Sequence, residues 1–123
     1  METNEITREI LDSAYKVHSV LGPGLLESAY QACLVYELRK KGLLVEVEKT
    51  LPLIYEDIRL ECGYRIDLLV ENEIVVELKT VEAFTDVHIA QVLTYLKLSG
   101  NHIGLLLNFY TKSLKDGIKR LVL

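Results

Sequence analysis

The sequence predicts an α/β (α+β) fold, a layered sandwich with a mixed central sheet flanked by helices. Two segments of helical period precede residue 42, and several segments of period two occupy residues 45 to 80. A third helical segment then leads into the almost wholly apolar stretch HIGLLLNF. The later strands carry apolar residues on both faces, which calls for layers on both sides of one sheet.

Between residues 5 and 21, Ile6, Ile10, Leu11, Ala14, Val17, Val20 and Leu21 recur at helical spacing, with Thr3 or Asn4 available as a cap. Gly22, Pro23 and Gly24 end that pattern, because proline and glycine both resist continuing a helix. A second helix is expected from about Leu25 to Lys41, with Leu26, Ala29, Tyr30, Cys33, Leu34 and Leu38 inward, closing on Arg39, Lys40, Lys41 and Gly42. Val45, Val47, Leu51 and Leu53 then alternate as a strand up to a polar turn at Glu56 and Asp57.

IRLEC, YRIDLLV and IVVELKT read as strands of a meander, separated near Gly63 and at Glu71-Asn72-Glu73. From Thr85 to Ser99 the sequence is helical, with Val87, Ala90, Leu93, Tyr95, Leu96 and Leu98 apolar and Gly100 at its end. HIGLLLNF is a buried strand, and IKRLVL an edge strand after a polar loop. No repeat, low-complexity tract or linker interrupts residues 1–123, which read as a single domain.

Half of the residues are apolar and 26% are charged, the balance of an ordinary globular chain. No apolar run approaches the roughly 20 residues that span a bilayer, and METNEITREI lacks the basic start of a signal sequence, so no membrane association and a cytoplasmic location are expected. Cys33 and Cys62 have no CxxC partner and read as buried thiols. A net charge of −4 opposes nucleic-acid binding, unless several of the acids hold a cation that reverses the local field.

The densest anomaly is Asp67, Glu77 and Lys79, charged residues set in the strands that otherwise look most buried. Glu77 and Lys79 share a face of their strand. If the hairpin is centred on Asn72, Asp67 stands opposite Glu77 with the side chains about 5 Å apart. A two-residue turn at Glu71-Asn72 would instead put the two acids on opposite faces. Facing carboxylates repel, so one is protonated or a cation sits between them. Carboxylates without His or Cys favour Mg²⁺ or Mn²⁺, and the Leu78 carbonyl could add a ligand. A structural ion pair of Lys79 with either acid is the plainer reading of the triplet taken alone.

The joint pattern of hairpin, upstream Asp and downstream helix resembles the PD-(D/E)xK nuclease superfamily, with Glu77-Leu78-Lys79 as the (D/E)xK element and Asp67 as its first acid, preceded by Ile66 where the family name has Pro. Glu27 on the second helix, and Gln91 with Tyr95 on the third, match the exonuclease-like branch. Gly24, Glu27 and Tyr30 spell GxxExxY, the signature of a small bacterial and archaeal family, whose ending LKDGIKR also resembles. The resemblance implies a restriction-endonuclease-like core of order αβββαβ from about Leu25 to Phe109, with an extra helix before it.

It also implies a Mg²⁺- or Mn²⁺-dependent nuclease acting on nucleic acid, chiefly DNA, without strong sequence specificity. Asp67, Glu77, Lys79, Glu27, Gln91 and Tyr95 would be catalytic, and Asp67, Glu77, Leu78 and Glu27 would hold the metal. Each addition has a plainer explanation: Glu27 as an acid favoured in a first helical turn, Gln91 and Tyr95 as a buried polar pair, Tyr30 as a packing or bracing residue. His88 could contact a phosphate or sit partly exposed, whereas His18 and His102 lack ligand spacing. Arg39, Lys40, Lys41, Lys119 and Arg120 are candidate phosphate contacts, or solvated charges at a helix end and an edge strand. The alternative function is a catalytically inactive module of the same fold that binds nucleic acid or a protein partner. A homo-oligomer, or a partner protein supplying substrate recognition, is compatible with either.

Overall fold

The computed structural model describes the backbone of residues 1–123 and every side chain except that of Cys62, so the expected buried thiol there lies outside the described residues. Cys33 is a half-buried free thiol. The chain runs α1 (Thr3–Leu21), α2 (Glu27–Lys40), β1 (Val45–Tyr55), β2 (Ile58–Val70), β3 (Ile74–Lys79), α3 (Asp86–Ser99), β4 (Ile103–Asn108), a short 3-10 turn (Leu114–Gly117) and β5 (Ile118–Val122). This is the expected αβββαβ order with an extra N-terminal helix. None of the helices is long and apolar enough to cross a membrane.

The five strands lie in spatial order β1-β2-β3-β4-β5. All neighbours are antiparallel except β3 and β4, whose parallel pairing follows from the crossover through α3. One face of the sheet buries Leu68, Val70, Ile74, Val76 and Leu78 against Ile10, Ala14, Leu34 and Leu38 of α1 and α2. The other buries Leu69, Val75 and Leu106 beneath Val92, Tyr95 and Leu96 of α3. The sheet is therefore covered on both sides, as its two-faced apolar strands require.

Gly104 fixes how closely α3 sits. A Cβ at that position would lie 2.7 Å from a methyl of Val92, so only glycine lets the helix rest directly on β4. At the other end of the sheet Pro52 lies within β1, an edge strand whose register with β2 shifts between Leu51 and Leu53. β2 absorbs the extra residues there, with Gly63 at φ 78°. The break expected at Gly63 is thus a bulge inside one continuous strand: an edge position tolerates the missing proline N–H, and glycine takes up the bend.

Several sequence expectations need correction. The residue before α1 is Glu2, not Thr3 or Asn4, and Glu5 accepts its amide at 3.4 Å. Leu26, expected inward, is 77% exposed, and Val20 and Val87, read as part of apolar helical stripes, are 73% and 75% exposed. Leu26 is the extended residue before α2 and so lies off its inward face, while Val20 and Val87 sit at the margins of their stripes. Ser13 and His18 are buried on α1, and the His18 Nε2 lies 2.8 Å from the Thr111 carbonyl.

Candidate active site

The hairpin between β2 and β3 is centred on Asn72, with Leu68 opposite Val76, Leu69 opposite Val75 and Val70 opposite Ile74. A three-residue turn makes this register possible, since Glu71 and Asn72 both take left-handed conformations at φ 53° and 56°. The next pair in this register is Asp67 and Glu77. There the backbone ladder stops and side chains take over: the Asp67 N–H donates to Glu77 Oε2 at 2.6 Å, and the Leu78 N–H donates to Asp67 Oδ2 at 2.9 Å. Each acid closes the gap between two separating strands.

Regular alternation also fails here. Glu48 of β1, across from Asp67, has φ 54°, and the β1–β2 register skips that pair. Ile66 consequently joins the α3-side core although Leu68 faces α1 and α2. The irregularity lets a half-buried Asp67 sit inside an otherwise apolar strand.

Glu27 reaches the same place from the first turn of α2. The loop before it is braced by Tyr30, whose hydroxyl donates to the Gly22 carbonyl at 2.5 Å and accepts the Leu25 N–H at 3.1 Å. The Tyr30 ring stacks on Phe109 at 4.6 Å between centroids. Tyr30 is fully buried, so it braces and does not face the site. Gly24, at φ 104°, supplies the bend that such a short loop needs.

The electrostatics show the acids acting on one another. Burial, then the Asp67 charge, push the Glu77 carboxyl up to about 8, against the opposing Asp67 N–H and Lys79. Asp67 is also raised by burial, with the Leu78 N–H, Lys79 and Arg65 pulling the other way. Glu27 is raised by burial and by Asp67, and lowered by Lys79. The Tyr95 hydroxyl is raised by burial, Glu77 and Asp67, with the Gln91 side chain lowering it. Glu27, Asp67, Glu77, Lys79, Gln91 and Tyr95 thus form one interacting set, drawn from α2, β2, β3 and α3.

A residue the sequence reading passed over holds the end of β3. Asn108, 2% exposed, stands beside Lys79 in the parallel ladder. Its side chain donates to the Val81 carbonyl and accepts the amides of Val81 and Tyr110. The Phe109 N–H meanwhile donates to the Lys79 carbonyl at 2.9 Å. The only signal in the sequence was a polar residue closing an apolar strand.

Comparison with known families decides the relationship. A family model described as the PD-(D/E)XK nuclease superfamily matches residues 4–121.

The chain belongs to the PD-(D/E)XK nuclease superfamily.

Comparisons with curated proteins and with solved structures return no match. PD-(D/E)XK nucleases generally use divalent metals. The donors available here suit a hard divalent cation: three carboxylates, each raised by burial, with Asp67 raising both Glu27 and Glu77, and with Lys79 opposing the shift at all three. Among the described residues no three His, Cys, Asp or Glu side chains converge at metal-holding distances. Asp67 and Glu77 instead each direct one oxygen to a backbone amide.

The basic residues suggested as phosphate contacts divide into two groups. The Arg39 guanidinium donates to the Val45 carbonyl, Lys40 lies near Glu37 and over the Tyr36 ring, and Lys41 pairs with Glu9 at 2.9 Å. These are structural contacts of the α2 C-terminus. Lys119 and Arg120 are exposed on the β5 edge. His88 is half-buried and part of the α3 cap, its Nδ1 accepting the Thr85 N–H at 3.0 Å.

Proposed function

We propose that the protein is a Mg²⁺- or Mn²⁺-dependent nuclease that hydrolyses phosphodiester bonds in DNA without strong sequence specificity. The observation that carries this reading is the gathering of Glu27, Asp67 and Glu77 around Lys79, beside Gln91 and Tyr95, within a superfamily of nucleases. GxxExxY at Gly24, Glu27 and Tyr30, with Gln91 and Tyr95, supports assignment to the GxxExxY family and the exonuclease-like branch.

Glu27, Asp67, Glu77 and the Leu78 carbonyl would hold the cation. When bound, it supplies Lewis-acid polarisation of the phosphate and a lowered pKa for water. Lys79 orients the attacking water and neutralises charge developing on the phosphate oxygens. Glu77 would hold the cation in its ionised form, its proton passing to bulk water. Gln91 and Tyr95 hold Lys79 and the nucleic-acid backbone in place. The protein would work in the cytoplasm, with a second copy or a partner supplying substrate recognition; the net charge of −4 by itself fits the second reading below better.

The second reading is an inactive module of the same fold that binds nucleic acid or a protein. It is favoured by the fastening of Asp67 and Glu77 to backbone amides. Purified protein incubated with single-stranded DNA, duplex DNA and RNA, in Mg²⁺, Mn²⁺ or chelator, separates the two. Metal-dependent cleavage lost in Lys79→Ala and Asp67→Asn is the expected result. No cleavage of any substrate, together with no Mn²⁺ binding by calorimetry, would leave the binding module.

A further inference from the structure

Beside the acidic centre, between β2 and the outer face of α3, lies a recess of about 270 Å³ lined by Tyr64, Val87, Ala90, Gln91, Thr94 and Tyr95. Two aromatic rings and a valine form its walls, and a carboxamide and a hydroxyl supply donors and acceptors. Tyr64 on β2 is 38% exposed and Val87 on α3 75% exposed, so apolar surface from both elements is open to solvent here. Tyr64 stands three residues before Asp67 on β2, and Tyr95 lies within the field of Asp67 and Glu77. The recess and the acids therefore share a wall.

The lining decides what fits. It holds no lysine or arginine and adjoins two carboxylates, Asp67 and Glu77, so a phosphate gains nothing there. A flat ring with polar edges does gain: its face stacks on tyrosine while Gln91 and Thr94 meet its edge. The volume is just under the roughly 300–1,000 Å³ of drug-sized sites, which suits a single ring system.

We infer that this recess is a nucleobase subsite and that the enzyme takes its substrate as an unpaired strand, one base seated on Tyr64 while the adjoining phosphate lies at Asp67 and Glu77. This rests on the nuclease reading above for the neighbouring phosphate, but not for the base. In a duplex the faces of each base are covered by its neighbours and its pairing edge by its partner, so filling the recess from a duplex costs the energy of extruding a base, and a single strand or a frayed end fills it more readily.

The test is a fluorescence titration of the whole protein, in chelator, with a short single-stranded oligonucleotide carrying one 2-aminopurine. Quenching on binding is expected, with affinity falling at least about tenfold in Tyr64→Ala and kept in Tyr64→Phe. Thr94→Trp, at an exposed position, fills the recess from another element and should reproduce the loss. An abasic site in place of the 2-aminopurine, followed by competition, should erase the difference between wild type and Tyr64→Ala. Equal affinity of wild type and Tyr64→Ala, equal affinity for the matching duplex, or no binding by wild type each overturns the proposal. So does a free 2-aminopurine nucleoside that binds as tightly as the strand, since that would mark a mononucleotide site. Cleavage in Mn²⁺ unaffected by Tyr64→Ala at limiting substrate refutes the subsite and leaves the nuclease reading intact. Tyr64-dependent quenching without cleavage of any substrate supports the subsite and refutes the nuclease reading.

Discussion

Glu77→Gln keeps the shape of the side chain and removes its charge, and its amide oxygen can still accept the Asp67 N–H. In the wild type, burial and the Asp67 carboxylate raise the folded-state value to about 8 from an ordinary 4.5. The folded protein therefore holds this proton more tightly than the unfolded chain, so its stabilising effect is full below pH 4.5 and is lost as pH rises through about 8. At about 1.4 kcal/mol per pH unit the complete loss is on the order of 5 kcal/mol, of which about 4 falls between pH 5 and pH 9. That is a large share of the roughly 5–15 kcal/mol that holds a domain folded. Urea unfolding in chelator at pH 5, 7 and 9 measures it. The wild type should weaken toward pH 9, while Glu77→Gln declines far less and is the more stable protein there. Saturating Mn²⁺ should restore the wild type at pH 9 and not the variant. Parallel pH profiles for the two proteins would refute the argument, because Glu77 would then ionise as easily folded as unfolded.

Lys79→Met retains the aliphatic stem and removes a cation that acts on all three acids, so cleavage should drop roughly 10²–10³-fold with the circular dichroism spectrum unchanged. Tyr30→Phe keeps the stack on Phe109 but leaves the Gly22 carbonyl and Leu25 amide without their partner; denaturant titration should show a loss of about 1 kcal/mol, and cleavage should fall with it because the loop before Glu27 loosens. Gly104→Ala sets a methyl against Val92 and pushes α3 off β4, which should cost about 1–3 kcal/mol by the same measurement.

The parts of this architecture that rest on neighbouring residues were legible in advance. Gly22, Pro23 and Gly24 separate two helices, and the polar stretch Glu71-Asn72-Glu73 narrows the hairpin to two registers, of which the structure takes the one centred on Asn72 that sets Asp67 across from Glu77. Where distant segments meet, the sequence was silent. Gly63 reads as a strand break until Pro52 is seen across the bulge from it. Asn108 gains its role from a parallel partner that only the α3 crossover brings alongside. Tyr64 looks like any outward strand residue until α3 forms the other wall of the recess. Glu27 was suggested by family likeness alone; its nearness to Asp67 depends on how α2 packs, which helical period does not specify. Val20 and Val87 fail in the opposite sense, since period marks an apolar stripe but not how much of it the sheet covers.

The handover from backbone ladder to carboxylates at Asp67 and Glu77 gives these two positions a structural task besides the catalytic one proposed for them. They close the seam between β2 and β3 whether or not any chemistry takes place. A descendant that lost catalysis would still need an acceptor at both positions, so relaxed selection would drift toward Asn and Gln before it reached Ala or Val. Lys79 makes no such seam contact and is free to change first. If the proposed cleavage is correct, the lysine is therefore the more sensitive record of whether a relative keeps it.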